Sequence, residues 1–268
     1  MLMAATAFAG LQFLVRLSND MHVSQVLFFR SIISLLFCLQ FLMAHKIPIR
    51  GNRPQWLLLR AFVGMVAMGI FFYTLQKLPL GASVSLKYLS PVFAALFAAL
   101  ILKERITPGR WLLFATAMTG VVLLKGFDTR VETFYLILGI TGAAFAGGVF
   151  VIIRKIGNSE HTVVIISYFM ALTTLVSGVM MIPFWINPTL LQWSMLMGMG
   201  VLGYYGQVWM TKGFQSEDVG KVAPIRYMEV VFSLILGLIF FSETYSPYAF
   251  LGIIMIVGSM LANVWLKK

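Results

Sequence analysis

Apolar runs recur along the chain and are interrupted only by short polar loops. Each run is roughly 17 to 25 residues long, enough to cross a hydrocarbon core. The pattern predicts ten membrane-spanning helices, at 2–17, 24–44, 55–75, 81–102, 108–125, 132–153, 161–182, 190–211, 218–241 and 247–266. The loops mark themselves: HKIPIRGNRP (45–54) is basic and breaks on two prolines, KGFDTR (125–130) and RKIGNSEH (154–161) are polar turns, and INPT (186–189) is an Asn-Pro turn. Thr107-Pro108 and Ser246-Pro247 pair an N-cap residue with proline at the first helical position, which starts spans five and ten. The first span has no basic flank and no small-residue cleavage site, so it is expected to be a retained helix.

An internal repeat organises the chain. Shifted by 139 residues, Gln76–Pro108 falls on Gln215–Pro247, matching Gly81 to Gly220, Lys87 to Arg226, Tyr88 to Tyr227, Phe93 to Phe232 and Glu104 to Glu243. Each copy is expected to be one continuous apolar helix between the glycine and the glutamate. Fainter echoes extend the match: 7–19 resembles 144–158, and Gly64 meets Gly203. The repeat predicts two halves, 1–126 and 132–268, of five spans each. An odd number of spans forces the halves to lie in opposite directions. KERITPGR after span four is basic, whereas SETYSPY after span nine has no Lys or Arg, as inversion requires. The expected fold is therefore all-α and polytopic, two inverted five-helix repeats, an architecture that many secondary transporters share.

Composition agrees. Only 11% of residues are charged, against about a quarter in a soluble domain, so no soluble domain is expected. The net charge of +11 does not imply nucleic acid, because the basic residues are scattered through short loops. With the N-terminus inside, inner loops and tail hold 13 Lys and Arg (among them Arg60), and the outer loops hold four, Arg16, Lys77, Lys125 and Arg130. Both termini are thus expected to be cytoplasmic. Cys38 is the single cysteine and the three His have no metal spacing, so neither disulfide, metal nor cofactor is expected. The nine acids form no cluster for metal–diphosphate or transferase chemistry, which argues against an enzyme. Nothing resembles the filter of a channel.

Ionisable residues inside spans are costly and mark candidate sites. Lys87 and Arg226 occupy matched positions, each about 9 Å into its span from opposite ends at 1.5 Å per residue. They are candidate anchors for an anionic or zwitterionic solute, with snorkelling to the nearer interface the bland alternative. Glu229, three residues after Arg226, is either a proton-coupling carboxylate, the seat of a substrate amine, or a structural partner of Arg226. Arg30 either lines a cavity, snorkels or pairs with Asp20. Tyr88 and Tyr227 are candidate substrate contacts. Glu104 and Glu243 are expected to be structural, each accepting from the amides that open the next helix, near Pro108 and Pro247. Glycines 200, 203 and 206 in span eight and 142, 147 and 148 in span six are expected to pack spans together. Tyr204, Gln207 and Trp209 add polar and aromatic groups that can face a cavity.

In these features the chain resembles the drug/metabolite transporter superfamily, EamA type, over nearly its whole length. The helix endings ILKERITPGRW and FFSETYSPYAF carry the likeness. FFRS, LLRAFVGM and VAPIRYMEVVFS look most like the branch that includes S-adenosylmethionine uptake carriers. The resemblance implies a two-fold bundle in a bacterial inner membrane, a cavity lined by spans 1, 3, 4, 6, 8 and 9, and alternating access. The expected function is secondary transport of a small polar metabolite, anionic or zwitterionic, by a monomer or homodimer with or without proton coupling. An exporter of lipophilic cations is the alternative, and a membrane-embedded transferase a remote one.

Overall fold

The computed structural model describes residues 2–102, 108–127, 131–216 and 228–265. Every regular element among them is helical: α1 (Leu2–Leu17), α2 (Val23–Ala44), α3 (Pro54–Lys77), α4 (Leu80–Lys87), α5 (Ser90–Leu102), α6 (Pro108–Phe127), α7 (Thr133–Ile156), α8 (Thr162–Met181), α9 (Leu190–Ser216), α10 (Met228–Phe241) and α11 (Pro247–Trp265). Four segments are long and apolar enough to cross a membrane by length and composition: Val23–Ala44, Pro54–Lys77, Thr133–Ile153 and Thr162–Phe184. Leu36, Leu58, Phe62, Ile137, Val179 and Leu238 are exposed on the helix surfaces. A water-facing surface would not carry so many, whereas lipid accepts them. The chain is a multi-pass membrane protein.

Local chemistry sets the helix ends. Pro54 opens α3, where its missing amide costs nothing. His22 and His161 stand 139 residues apart and cap their helices in the same way. Each Nδ1 accepts from a backbone amide of the next helix, Ser24 at 3.3 Å and Val163 at 3.2 Å. Ser246 Oγ accepts from the Ala249 amide at 3.1 Å, the expected cap of α11. Its counterpart Thr107 lies outside the described residues, as do Lys103, Glu104 and Arg105.

The expectation of one continuous helix from Gly81 towards Glu104 is corrected. The helix stops at Lys87 and restarts at Ser90. The Tyr88 amide is shared between Ser85 O at 3.0 Å and Val84 O at 3.3 Å, as in a tightening last turn. Pro91 supplies the reason, because it has no amide to donate to the carbonyl of Lys87 four residues earlier.

Helices pack in pairs that the 139-residue shift exchanges. α1 lies on α9 and α3 on α7; α1 meets α10 as α5 meets α7; α2 touches α9 as α3 touches α8. α2 with α8 and α6 with α11 are each their own counterpart, whereas the counterpart of α4 on α10 lies outside the described residues. At the α6–α11 crossing, backbone meets backbone. A Cβ on Gly252 would stand 2.5 Å from the Gly120 carbonyl oxygen, and one on Gly120 would stand 2.6 Å from that of Gly252. Only paired glycines permit this approach. One apolar core surrounds α4, including Leu80, Leu86 and Leu89; a second joins α2 to α8 through Cys38, Leu42 and Phe169. The polar site lies between them.

Candidate functional site

Glu229 stands in the first turn of α10 with no solvent exposure. A bare carboxylate there would be prohibitive, so its partners define the site. Lys87 Nζ donates to Oε1 at 2.6 Å and forms an ion pair with it. The Tyr88 hydroxyl donates to Oε2 at 2.8 Å. Gln12 Nε2 from α1 donates to Oε1, and Ser233 Oγ lies 3.0 Å from Gln12 Oε1. Three helices, α1, α4 and α10, thus meet on one carboxylate.

The broken helix makes this possible. Lys87 is the last residue of α4 and Tyr88 its cap, so both side chains leave the helix where its regular path ends. The Lys87 ammonium also lies 4.6 Å from the centre of the Phe71 ring and 5.6 Å from that of Phe8. These ring faces stabilise a desolvated cation.

Beside the pair is a cavity of about 180 Å³. It is smaller than the roughly 300–1,000 Å³ of drug-sized clefts. α1, α2, α3, α4, α7, α8 and α9 contribute to its wall, through residues that include Gln12, Arg30, Arg60, Lys87, Phe169 and Gln207. Of the expected lining by spans 1, 3, 4, 6, 8 and 9, spans 1, 3, 4, 6 and 8 contribute to this wall and the described residues of span nine do not, while α2 and α8 add to it.

Arg30 neither snorkels nor pairs with Asp20. It is 2% exposed, and its Nη1 contacts the sulfurs of Met68 and Met170. Asp20 instead accepts from Gln192. Arg60, counted from sequence as a loop cation, is 6% exposed and lies 4.3 Å over the Phe169 ring. Sequence reasoning missed Arg60, Gln12 and the helix break. Arg60 lies within one turn or two of a span end, where snorkelling is the ordinary reading. Gln12 is an uncharged residue in an apolar helix. Pro91 in the run YLSP was the available signal for the break.

The structure brings Lys87, Tyr88 and Glu229 together and places Arg30 on the same cavity. Arg226 and Tyr227 lie outside the described residues, and so does any pairing of Glu229 with Arg226. Glu243 is structural, but not as expected. It accepts from the Leu80 amide, at 2.8 and 2.9 Å to its two oxygens, and from the Tyr245 hydroxyl at 2.8 Å. It therefore caps α4 across the repeat rather than α11. Two bare amides compete for this carboxylate, and Ser246 already serves α11.

At the same end, Arg16 Nη1 donates to Gln76 O at 2.6 Å, and Arg16 Nη2 lies 4.0 Å from Glu243 Oε1 in an ion pair. Gln76 Nε2 donates to the carbonyls of Ser18 and Met21. This polar seal ties the ends of α1, α3 and α10 together beyond the cavity. Of the glycines expected to pack spans, Gly200 abuts Ile33 and Gly142 abuts Ile70. Tyr204 stacks on Phe37 in the second core.

A helical membrane protein with charged groups buried around a small internal cavity belongs to the transporter class. The chain belongs to the EamA-like transporter family, which matches residues 1–125 and 133–265. Its relatives are drug/metabolite transporters. The pseudopaline exporter CntI of Pseudomonas aeruginosa is 31% identical over 99% of this chain and 95% of its own. The human solute carrier family 35 member G1 is 30% identical over 96% of this chain and 76% of its own. The S-adenosylmethionine uptake transporter of Rickettsia prowazekii is 27% identical over 94% of this chain and 86% of its own. A solved crystal structure superposes with a TM-score of 0.61, covering 97% of this chain and 95% of that one at 18% identity, a likeness of fold.

Proposed function

We propose that the chain is a secondary transporter that moves a small anionic or zwitterionic metabolite across the inner membrane by alternating access. The halves are 1–126 and 132–268, ten spans in inverted order, with both termini cytoplasmic. The Lys87–Glu229 pair carries this reading. It joins the first half to the second at the cavity wall, so exchanging its partners for solute or water changes how the halves are held together. The helix contacts that the 139-residue shift exchanges, α1–α9 with α3–α7 and α2–α9 with α3–α8 among them, support rocking about a two-fold axis. Given this topology, the seal of Arg16, Gln76 and Glu243 is the outer gate.

Glu229 is the proposed proton-coupling group. Arg226 and Tyr227 remain proposed substrate contacts on sequence grounds. The relatives include both an exporter and an uptake transporter, so direction is left to experiment. Proteoliposomes should be tested for saturable uptake of solutes sorted by charge, including amino acids and S-adenosylmethionine. Uptake of anions or zwitterions, absent from protein-free vesicles, supports the proposal. Movement of lipophilic cations alone would transfer the protein to the multidrug-export reading.

A further inference from the structure

Among the described residues that line the cavity, Arg30 and Arg60 are the cations that the Lys87–Glu229 pair does not account for. Both line the cavity and both are more than nine-tenths buried. Arg30 Nε, Arg60 Nε and Arg60 Nη1 have no hydrogen-bond partner among the described residues. The ion pairs found among those residues are Lys87–Glu229 and Arg16–Glu243, and neither involves these arginines. Their surroundings are soft and apolar: Met68 and Met170 sulfurs, the Phe72 ring 5.9 Å from Arg30 and the Phe169 ring 4.3 Å from Arg60.

Snorkelling does not explain Arg60. It is the seventh residue of α3, within reach of the Pro54 end, yet its side chain runs the other way. Nη1 lies 3.3 Å from where a Cβ on Gly64 would stand, one turn deeper into the bundle. Gly203 similarly leaves room for Arg30, whose Nε lies 3.0 Å from where its Cβ would be. The two arginines line the same cavity, and both reach α8, Arg60 resting on Phe169 and Arg30 on Met170.

Lys87 and Glu229 cancel in charge, which leaves two positive charges on the cavity wall without an anion among the described residues. Unpaired buried charges of this kind are tolerated when a ligand completes them. From this surplus we infer that Arg30 and Arg60 form a seat for a solute with two carboxylates on a short hydrocarbon spacer. Guanidinium matches carboxylate geometry, and the Met and Phe side chains accept the spacer. The inference rests on the transporter reading and selects within it. A solute with one carboxylate and a net positive charge, such as S-adenosylmethionine, leaves one arginine unpaired.

The test uses the purified full chain in lipid nanodiscs and follows thermal unfolding. Succinate, glutarate, adipate and glutamate are compared with acetate, alanine, S-adenosylmethionine and inorganic phosphate. At least one dicarboxylate should raise Tm, with acetate, alanine and S-adenosylmethionine giving no comparable shift. Arg60→Lys should weaken that response at least tenfold in apparent Kd, and Arg60→Met should abolish it. Without any solute, Arg60→Met should raise Tm, because an unpaired charge is removed; Arg30→Met should do the same.

A lower Tm for ligand-free Arg60→Met would show that the arginine has a structural partner and would overturn the inference. So would a response no larger for dicarboxylates than for single carboxylates, a preference for phosphate, or no response to any probe. Proteoliposome exchange separates the two readings. If solutes move and Arg60→Met moves them equally well, the seat is wrong and the transporter stands. If no solute of any charge moves, the transporter reading fails, and the Tm shifts alone decide the seat.

Discussion

Replacing Glu229 by Gln preserves shape and removes one charge. Gln can still accept from Tyr88 or Gln12, but the Lys87 ammonium loses its counterion. The bond it loses is a short, charge-assisted one, a class worth about 1.5–3 kcal/mol. Removing one partner from a fully buried pair costs more, about 3–5 kcal/mol. Glu229 has no exposure, but the Lys87 side chain is 23% exposed. Cavity water therefore screens part of the interaction, and the lower range applies, about 2 kcal/mol. For a chain of this size that corresponds to a fall in Tm of about 4–8 °C.

A double-mutant cycle isolates the pair. Lys87→Met alone should destabilise too, since it takes the Lys87 charge from a carboxylate with no solvent exposure. Lys87→Met/Glu229→Gln should cost less than the sum of the single changes, by at least about 1 kcal/mol. The assay is thermal unfolding in nanodiscs, with Tm shifts converted through the measured unfolding entropy. Additivity within about 0.5 kcal/mol would refute the coupling, and with it the view that this ion pair holds the halves together. Glu229→Gln with unchanged pH dependence of uptake would remove the proton-coupling proposal while leaving the pair intact.

Other outcomes follow from single contacts. Glu243→Ala strips the cap from α4 and should cost about 2 kcal/mol, the upper part of the range for lost caps, measured by chemical unfolding. Gly252→Ala drives a Cβ against the backbone of Gly120 and Leu124 and should destabilise by about 1–3 kcal/mol. Gly258→Ala meets nothing within 4 Å and should be neutral or stabilising by up to about 1 kcal/mol; equal Tm changes for the two would contradict the packing. Burial holds the His22 imidazole below its usual pKa of 6.5, so folding favours the neutral ring. Its contribution is complete above pH 6.5 and drains away as pH falls through the lower folded value. Wild type should therefore lose Tm relative to His22→Asn between pH 7 and pH 5; parallel curves would show that the ring does not titrate with folding. Pro91→Ala restores an amide at the helix break and should slow transport while leaving substrate affinity unchanged, read from uptake rates and binding in the same preparation.

The all-helical, multi-pass character was legible because a bilayer demands long apolar runs, and this chain supplies them between short polar loops. Lys87 and Glu229 were legible for the same reason, since ionised groups in such runs stand out. Their mutual pairing was not, because 142 residues separate them and nothing local links position 87 to position 229. The i, i+3 rule pointed Glu229 to Arg226, a neighbour by helical geometry, and gave no information about α1 or α4. Arg60 was assigned to the loop by proximity to the span end. A count of loop charges cannot tell a side chain that runs outward from one that turns inward past a glycine. Glu243 shows the same limit: its capping role was legible, but which of two bare amides it would cap was decided by tertiary packing.

α4 is the element on which the site's geometry depends. It has eight residues, too few to be stable alone. Both of its ends are fixed to a single partner. The Leu80 amide is held by Glu243, just past the end of α10, and Lys87 and Tyr88 are held by Glu229, in the first turn of α10. The two acids bracket the short helix antiparallel to α10. α4 is joined to α5 by only the two residues Tyr88 and Leu89. The firm attachments of α4 are therefore to the second half of the chain, although covalently it belongs to the first. Under alternating access α4 should travel with α10, with the bend concentrated at Tyr88–Leu89. Glu229 then both fastens α4 to the second half and holds Lys87, which lines the cavity, so that loss of its charge partner at one point loosens the bracket and exposes the site together.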